Sequence, residues 1–210
     1  MFAIRHPLTA MIQDRKIYIE ALITDFPNMK ASLYAKIRDG AIQWATDIAE
    51  GDLDIKNEEY EKYVNAYEES RDFDNLFYQA MLIIVYAYYD SVVERLCKES
   101  NIDTSGDRIK KLCQNHNISL SKSAQDCKTY IYENMKLLRH DVVHNNAGTL
   151  ANLDTINNIA QICPEVQIRD NEVIINGPDF IIDMLNKEYL VLYELAQKLG
   201  YKTKYIGGTK

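Results

Sequence analysis

The sequence predicts an all-α bundle with one small β-hairpin placed before its last helix. Three observations carry that reading. Apolar residues recur at helical spacing over most of the 210 residues, and the 8 Gly and 4 Pro lie mostly at boundaries. The clearest alternation, VQIRDNEVII, is short and centred on Asp170-Asn171. An apolar fraction of 47% with 26% charged residues is that of an ordinary globular chain with ample core.

The elements follow in order. Residues 8–26 and 30–50 show helical apolar spacing and read as two helices separated by Pro27-Asn28, with Gly51 and Asp52 ending the second. Residues 57–70 form a strongly acidic helix with Tyr60, Tyr63, Val64 and Tyr67 on one side, packed on the outside. Residues 72–100 are apolar nearly all round at first and then amphipathic, the pattern of a central core helix. A short helix covers 105–115. Ser121 or Ser123 caps a long helix that ends near 145–148. Residues 151–162 form another helix, stopped by Cys163-Pro164. After the hairpin, Pro178 opens a final amphipathic helix to about Leu199, where Gly200 stops it. Residues 1–199 read as one helical domain, and the basic, Gly-containing 200–210 as a mobile tail.

Charge is unevenly distributed. From Asp47 to Asp74 there are 11 acids and 3 bases, enough to account for the overall net charge of -7. From Asp107 to Arg139 seven bases face three acids, so the chain turns basic just ahead of its most distinctive string. The 15 Tyr suit helix interfaces, where an apolar ring carries a polar tip. The four cysteines have no paired spacing, which favours reduced thiols over a metal site or a disulfide framework. The opening MFAIRHPLTAMIQDRK soon turns charged, unlike a secretory leader, and the longest greasy stretch, 79–89, is too short to span a bilayer. The expectation is a cytoplasmic protein that does not engage membranes and needs no cofactor.

The distinctive string is RHDVVH, Arg139 to His144. It supplies a permanent cation and a group that titrates near neutrality, the two tools needed to break an RNA strand without a metal. The ribose 2′-hydroxyl is the nucleophile; a histidine takes its proton or protonates the leaving 5′-oxygen, and a guanidinium stabilises charge on the phosphoryl oxygens. His144 is the candidate proton-transfer residue and Arg139 the candidate phosphate clamp. They sit five residues apart, about 140° around an ideal helix. Either the length of the arginine closes that gap, or two copies face each other across a dimer. His140 and His144 share one face with Lys136, a candidate substrate contact.

The phrase LLRHDVVHNNAG (137–148) resembles the motif of the HEPN ribonucleases: an Arg, a polar residue, three variable residues, a His, then Asn and a nearby Gly. The preceding buried helix, YAYYDSVVERLCKES (86–100), is similar to the family's acid-bearing core helix, with Asp90 at the acidic position. The resemblance covers roughly residues 72–199 and leaves the amino-terminal helices (1–71) unaccounted for. It implies a HEPN-like bundle acting as a homodimeric, metal-independent endoribonuclease in toxin–antitoxin or antiviral abortive-infection defence, with an antitoxin or defence-system partner. It also implies that Asp90 orients the motif's Arg or His, a role Glu94 one turn later could take instead, and that Asn145 orients or contacts substrate. One departure stands out. HEPN toxins paired with a nucleotidyltransferase antitoxin carry a Tyr two residues after the His, where this chain has Asn146. That route of neutralisation is therefore not expected.

Two other readings fit the composition: a non-catalytic HEPN-like domain that binds nucleotide or RNA or scaffolds a partner, and a helical module whose acidic segment 47–74 docks on a basic partner. His6 and His116 have no positional support as site residues.

Overall fold

The computed structural model describes residues 2–4, 6–68, 73–144, 153–170, 172–202 and 204–206. It is a helical bundle with a small antiparallel hairpin ahead of the final helix, as the periodicity predicts. The elements are β1 (Phe2–Ile4), α1 (Pro7–Ala49), α2 (Leu53–Glu68), α3 (Phe73–Glu99), α4 (Arg108–Asn115), α5 (Lys122–Tyr130), a π-helical turn (Ile131–Met135), α6 (Lys136–His144), α7 (Leu153–Ile162), β2 (Val166–Arg169), β3 (Glu172–Ile175), α8 (Pro178–Lys198) and β4 (Lys204–Ile206).

The core is built around α8 and α3. Ile181, Leu185, Val191, Leu192 and Leu195 of α8 are buried against the first half of α1, against α3 and against α5. The stretch 79–89 lies within the 27-residue α3, which by length and composition could cross a bilayer. In the bundle Leu82, Val85 and Leu96 of this helix are fully buried. The hairpin is pinned to α3 by two side chains: Asn75 Oδ1 accepts from the Ile175 amide at 2.9 Å, and Gln79 Nε2 donates to the Val173 carbonyl at 2.6 Å.

Three expectations are corrected. The two helices predicted around Pro27 are one helix of 43 residues with Pro27 inside it. Contacts on both sides hold the chain helical through the proline: Phe26 stacks on Phe73 and Phe77, and the Lys30 ammonium pairs with Asp74 at 2.5 Å. The helix expected over 57–70 starts earlier, because the Asp52 carboxylate accepts from the Asp54 and Ile55 amides and so caps α2. The tail expected to be mobile is partly anchored. β4 pairs antiparallel with β1, Thr9 Oγ1 donates to the Tyr201 carbonyl at 2.5 Å, and Tyr201 Oη donates to Glu99 at 2.7 Å. His6 shares in this closure, capping α1 through Nδ1 and packing edge-on against Tyr201.

Candidate functional site

The helix that carries the motif begins where the sequence places it. Ser121 is the N-cap of α5, its Oγ accepting from the Ala124 amide at 3.2 Å, while its own amide and hydroxyl donate to the Glu194 carboxylate. The helix then passes through the π-helical turn before continuing as α6. There the Lys136 amide reaches back five residues to the Ile131 carbonyl instead of four. Such turns cost regular hydrogen bonding and recur at functional sites. This one is anchored by the buried Ile131 and Met135 and leaves Tyr132 54% exposed two turns before the motif.

Arg139 is half-buried on α6. Its guanidinium carbon lies 5.8 Å from the centre of the Tyr86 ring on α3, and its Nε is buried without a hydrogen-bond partner among the described residues. A buried donor left unpaired costs about 1–3 kcal/mol, more when charged, so the position is held by surrounding structure and not by its own bonding.

Arg139 opens into a cleft of about 530 Å³ between α3, the start of α4 and the motif helix. Four cations line it, Arg108, Lys128, Lys136 and Arg139, with three acids, Asp90, Glu94 and Asp107. The acids are engaged. Asp90 pairs with Arg108, Asp107 pairs with Lys128 at 2.7 Å, and Glu94 is held from outside the cleft by Lys98 at 2.6 Å. Burial works against the Arg108 charge, but the Asp90 carboxylate overcomes it and keeps the guanidinium above its ordinary range. Burial likewise opposes ionisation of Asp107; hydrogen bonds from Lys128 and the Lys110 amide prevail and hold it below the usual carboxylate range. Arg139 and Lys136 form no salt bridge among the described residues. Lys136 instead sits 4.6 Å over the Tyr132 ring. The cleft therefore presents two uncompensated cations flanked by two tyrosine rings, suited to an anion attached to a planar group.

The remaining predicted residues are distributed as follows. His140 and His144 are exposed and lie ring to ring, with centroids 4.7 Å apart, on the face that starts at Lys136. Neither lines the cleft. Within one chain the motif's Arg and His are thus not brought into one pocket, and the side-chain length of Arg139 is spent on reaching Tyr86. Asp90 lines the cleft, but its partner is Arg108, not Arg139, because the chain after α3 turns back and sets Arg108, the first residue of α4, beside the second half of α3. Glu94 does not take the orienting role either. Asn145 and Asn146 lie outside the described residues. His116 bonds Ser100 Oγ at 2.9 Å on the surface.

The sequence reading left Tyr86, Tyr132, Arg108 and Lys128 out of the site. The basic run from Asp107 to Arg139 was the available signal for the last two. Asp141, inside the motif, is only 3% exposed and belongs to the core side of α6. Among the described residues no group of three or more His, Cys, Asp or Glu is placed to hold a metal ion, and the four cysteines are free thiols. Comparison with protein-family models, with curated proteins and with solved structures finds no match.

Proposed function

We propose that this chain is a metal-independent endoribonuclease of HEPN type, working as a homodimer in toxin–antitoxin or antiviral defence. The observation that carries the proposal is the Arg139 guanidinium, free of any acid among the described residues and opening with Lys136 into a cleft of nucleotide size. Arg139 grips the scissile phosphate and stabilises its equatorial oxygens as negative charge develops. His144 exchanges the proton: as base it takes the 2′-hydroxyl proton, and as acid it delivers one to the departing 5′-oxygen. The 2′-oxygen–phosphorus bond forms as the phosphorus–5′-oxygen bond breaks. The products carry a 2′,3′-cyclic phosphate and a 5′-hydroxyl.

Because His144 lies off the cleft in its own chain, a second copy supplies it. A surface for that copy adjoins the cleft. Phe73, Leu76, Ala80, Ile84, Ala87 and Ser91 recur every three or four residues along α3, all exposed, and Ala87 and Ser91 reach the cleft wall. Complementation tests the arrangement. Arg139→Ala and His144→Ala are each inactive, and mixing the two proteins in equal amounts restores about a quarter of the activity if one site takes its Arg and His from different copies. If each chain carries both residues of one site, mixing restores nothing.

A second reading rests on the same geometry: if His144 is never brought to Arg139, the cleft holds a nucleotide or RNA phosphate without cutting it. Phosphate-dependent binding with intact RNA after prolonged incubation would select that reading.

A further inference from the structure

The first half of α1 buries one stripe, Leu8, Ile12, Ile19, Ile23 and Phe26, against the core. At 100° per residue the same stripe continues through Leu33, Ile37, Trp44 and Ile48 in the second half, where the bundle no longer covers it. Leu33, Trp44 and Ile48 are exposed there, Trp44 by 51%. α2 does not cover them, because it packs on the neighbouring stripe of Ala41, Ala45 and Ala49. About 23 Å of helix, from Leu33 to Ile48, therefore carries a core-type apolar face with no partner among the described residues of its own chain.

We propose that a second copy of this chain covers this face, with the two α1 helices antiparallel and crossing near Gly40. The pattern is self-complementary. Leu33 and Ile48 are equidistant from the Gly40–Ala41 midpoint, and so are Ile37 and Trp44. A two-fold axis at that midpoint sets Leu33 against the partner's Ile48 and Ile37 against the partner's Trp44, as an isologous contact requires. Gly40 lies at the edge of the stripe near the crossing, where Tyr63 of α2 borders it with Oη 4.0 Å from where a Cβ would stand. Charge agrees. Lys36 and Asp47 flank the same edge of the stripe, and the antiparallel arrangement brings each within a turn of its opposite on the other copy. A partner of unrelated sequence would need no such symmetry. This contact is separate from the α3 face and independent of the ribonuclease reading; where both form, two α3-paired dimers join through α1 into a tetramer, which each glutamate variant halves to a dimer.

The test is the solution mass of the full chain by sedimentation equilibrium, together with emission of Trp44, the only tryptophan. Leu33→Glu and Trp44→Glu alter exposed positions, so each keeps its helical circular dichroism while halving the mass, with dissociation strengthened at least ~30-fold. Emission of the unaltered chain shifts to the red on dilution as Trp44 returns to water. Lys36→Asp weakens association and Lys36→Asp/Asp47→Lys restores it. A mass unchanged by either glutamate variant, emission independent of concentration, or a charge swap that fails to restore association would overturn the proposal.

Discussion

The Arg139 guanidinium rests 5.8 Å from the Tyr86 ring with its Nε buried and unpartnered among the described residues, and Arg139 lines the cleft. Truncating it removes the proposed phosphate clamp. Arg139→Ala is expected to lower RNA cleavage by about 10²–10³-fold while the thermal transition stays close to that of the unaltered chain. Arg139→Lys restores charge but not the two-pronged geometry and recovers little. Initial rates on a fluorogenic RNA, read beside a melting curve, check both.

Lys136 acts on the same anion as a point charge over Tyr132. Lys136→Ala is expected to weaken RNA binding without regard to sequence. It should also reduce the slope of log affinity against log salt by about 1. Titrations at several salt concentrations measure this, and an unchanged slope would remove Lys136 from the phosphate contact.

Asp90 belongs to Arg108. The pair is partly exposed, so Asp90→Ala is expected to cost only about 0.5–1 kcal/mol of stability. It frees Arg108 and adds positive charge to the cleft, so RNA binding tightens or holds. Loss of cleavage on the scale of Arg139→Ala would show that Asp90 orients the motif after all.

The fold was largely legible because helical periodicity marks each long element, and Ser121, Pro178 and Gly200 punctuate them as their chemistry dictates. What could not be read depended on contacts distant in sequence. Pro27 normally ends a helix; Phe26 stacked on Phe73 and Phe77, with Lys30 paired to Asp74, holds the chain helical through it. β1 and β4 are three residues each and pair across nearly the whole chain, so neither has a local pattern. Arg139 and His144 stand out in the sequence through the chemistry of the string RHDVVH and its resemblance to the HEPN motif. The cleft that receives Arg139 does not, because Tyr86, Arg108 and Lys128 come from three separate helices. The π-helical turn is written in an ordinary string, IYENM.

Glu188 makes stability depend on pH. It is 1% exposed in the middle of α8, neither carboxylate oxygen has a hydrogen-bond partner among the described residues, and burial pushes its pKa well above the ordinary carboxylate value. Above the unfolded pKa the unfolded chain has released this proton while the folded chain keeps it. The contribution of Glu188 to stability is therefore full at low pH and falls as pH rises, by about 1.4 kcal/mol per unit, until the folded group ionises. Glu188→Gln is expected to flatten this dependence, checked by denaturant unfolding at a series of pH values.

Pro27 leaves α1 short of one backbone hydrogen bond. Pro27→Ala is expected to raise stability by about 1–3 kcal/mol, seen as a higher denaturant midpoint at unchanged slope.

The most direct measurement is incubation of the purified chain with RNA in excess EDTA, followed by analysis of the new ends. Cleavage that persists and leaves 2′,3′-cyclic phosphate and 5′-hydroxyl termini, and that disappears with Arg139→Ala and with His144→Ala, is the predicted result. A requirement for divalent metal, 5′-phosphate termini, or cleavage that survives either substitution would contradict the account.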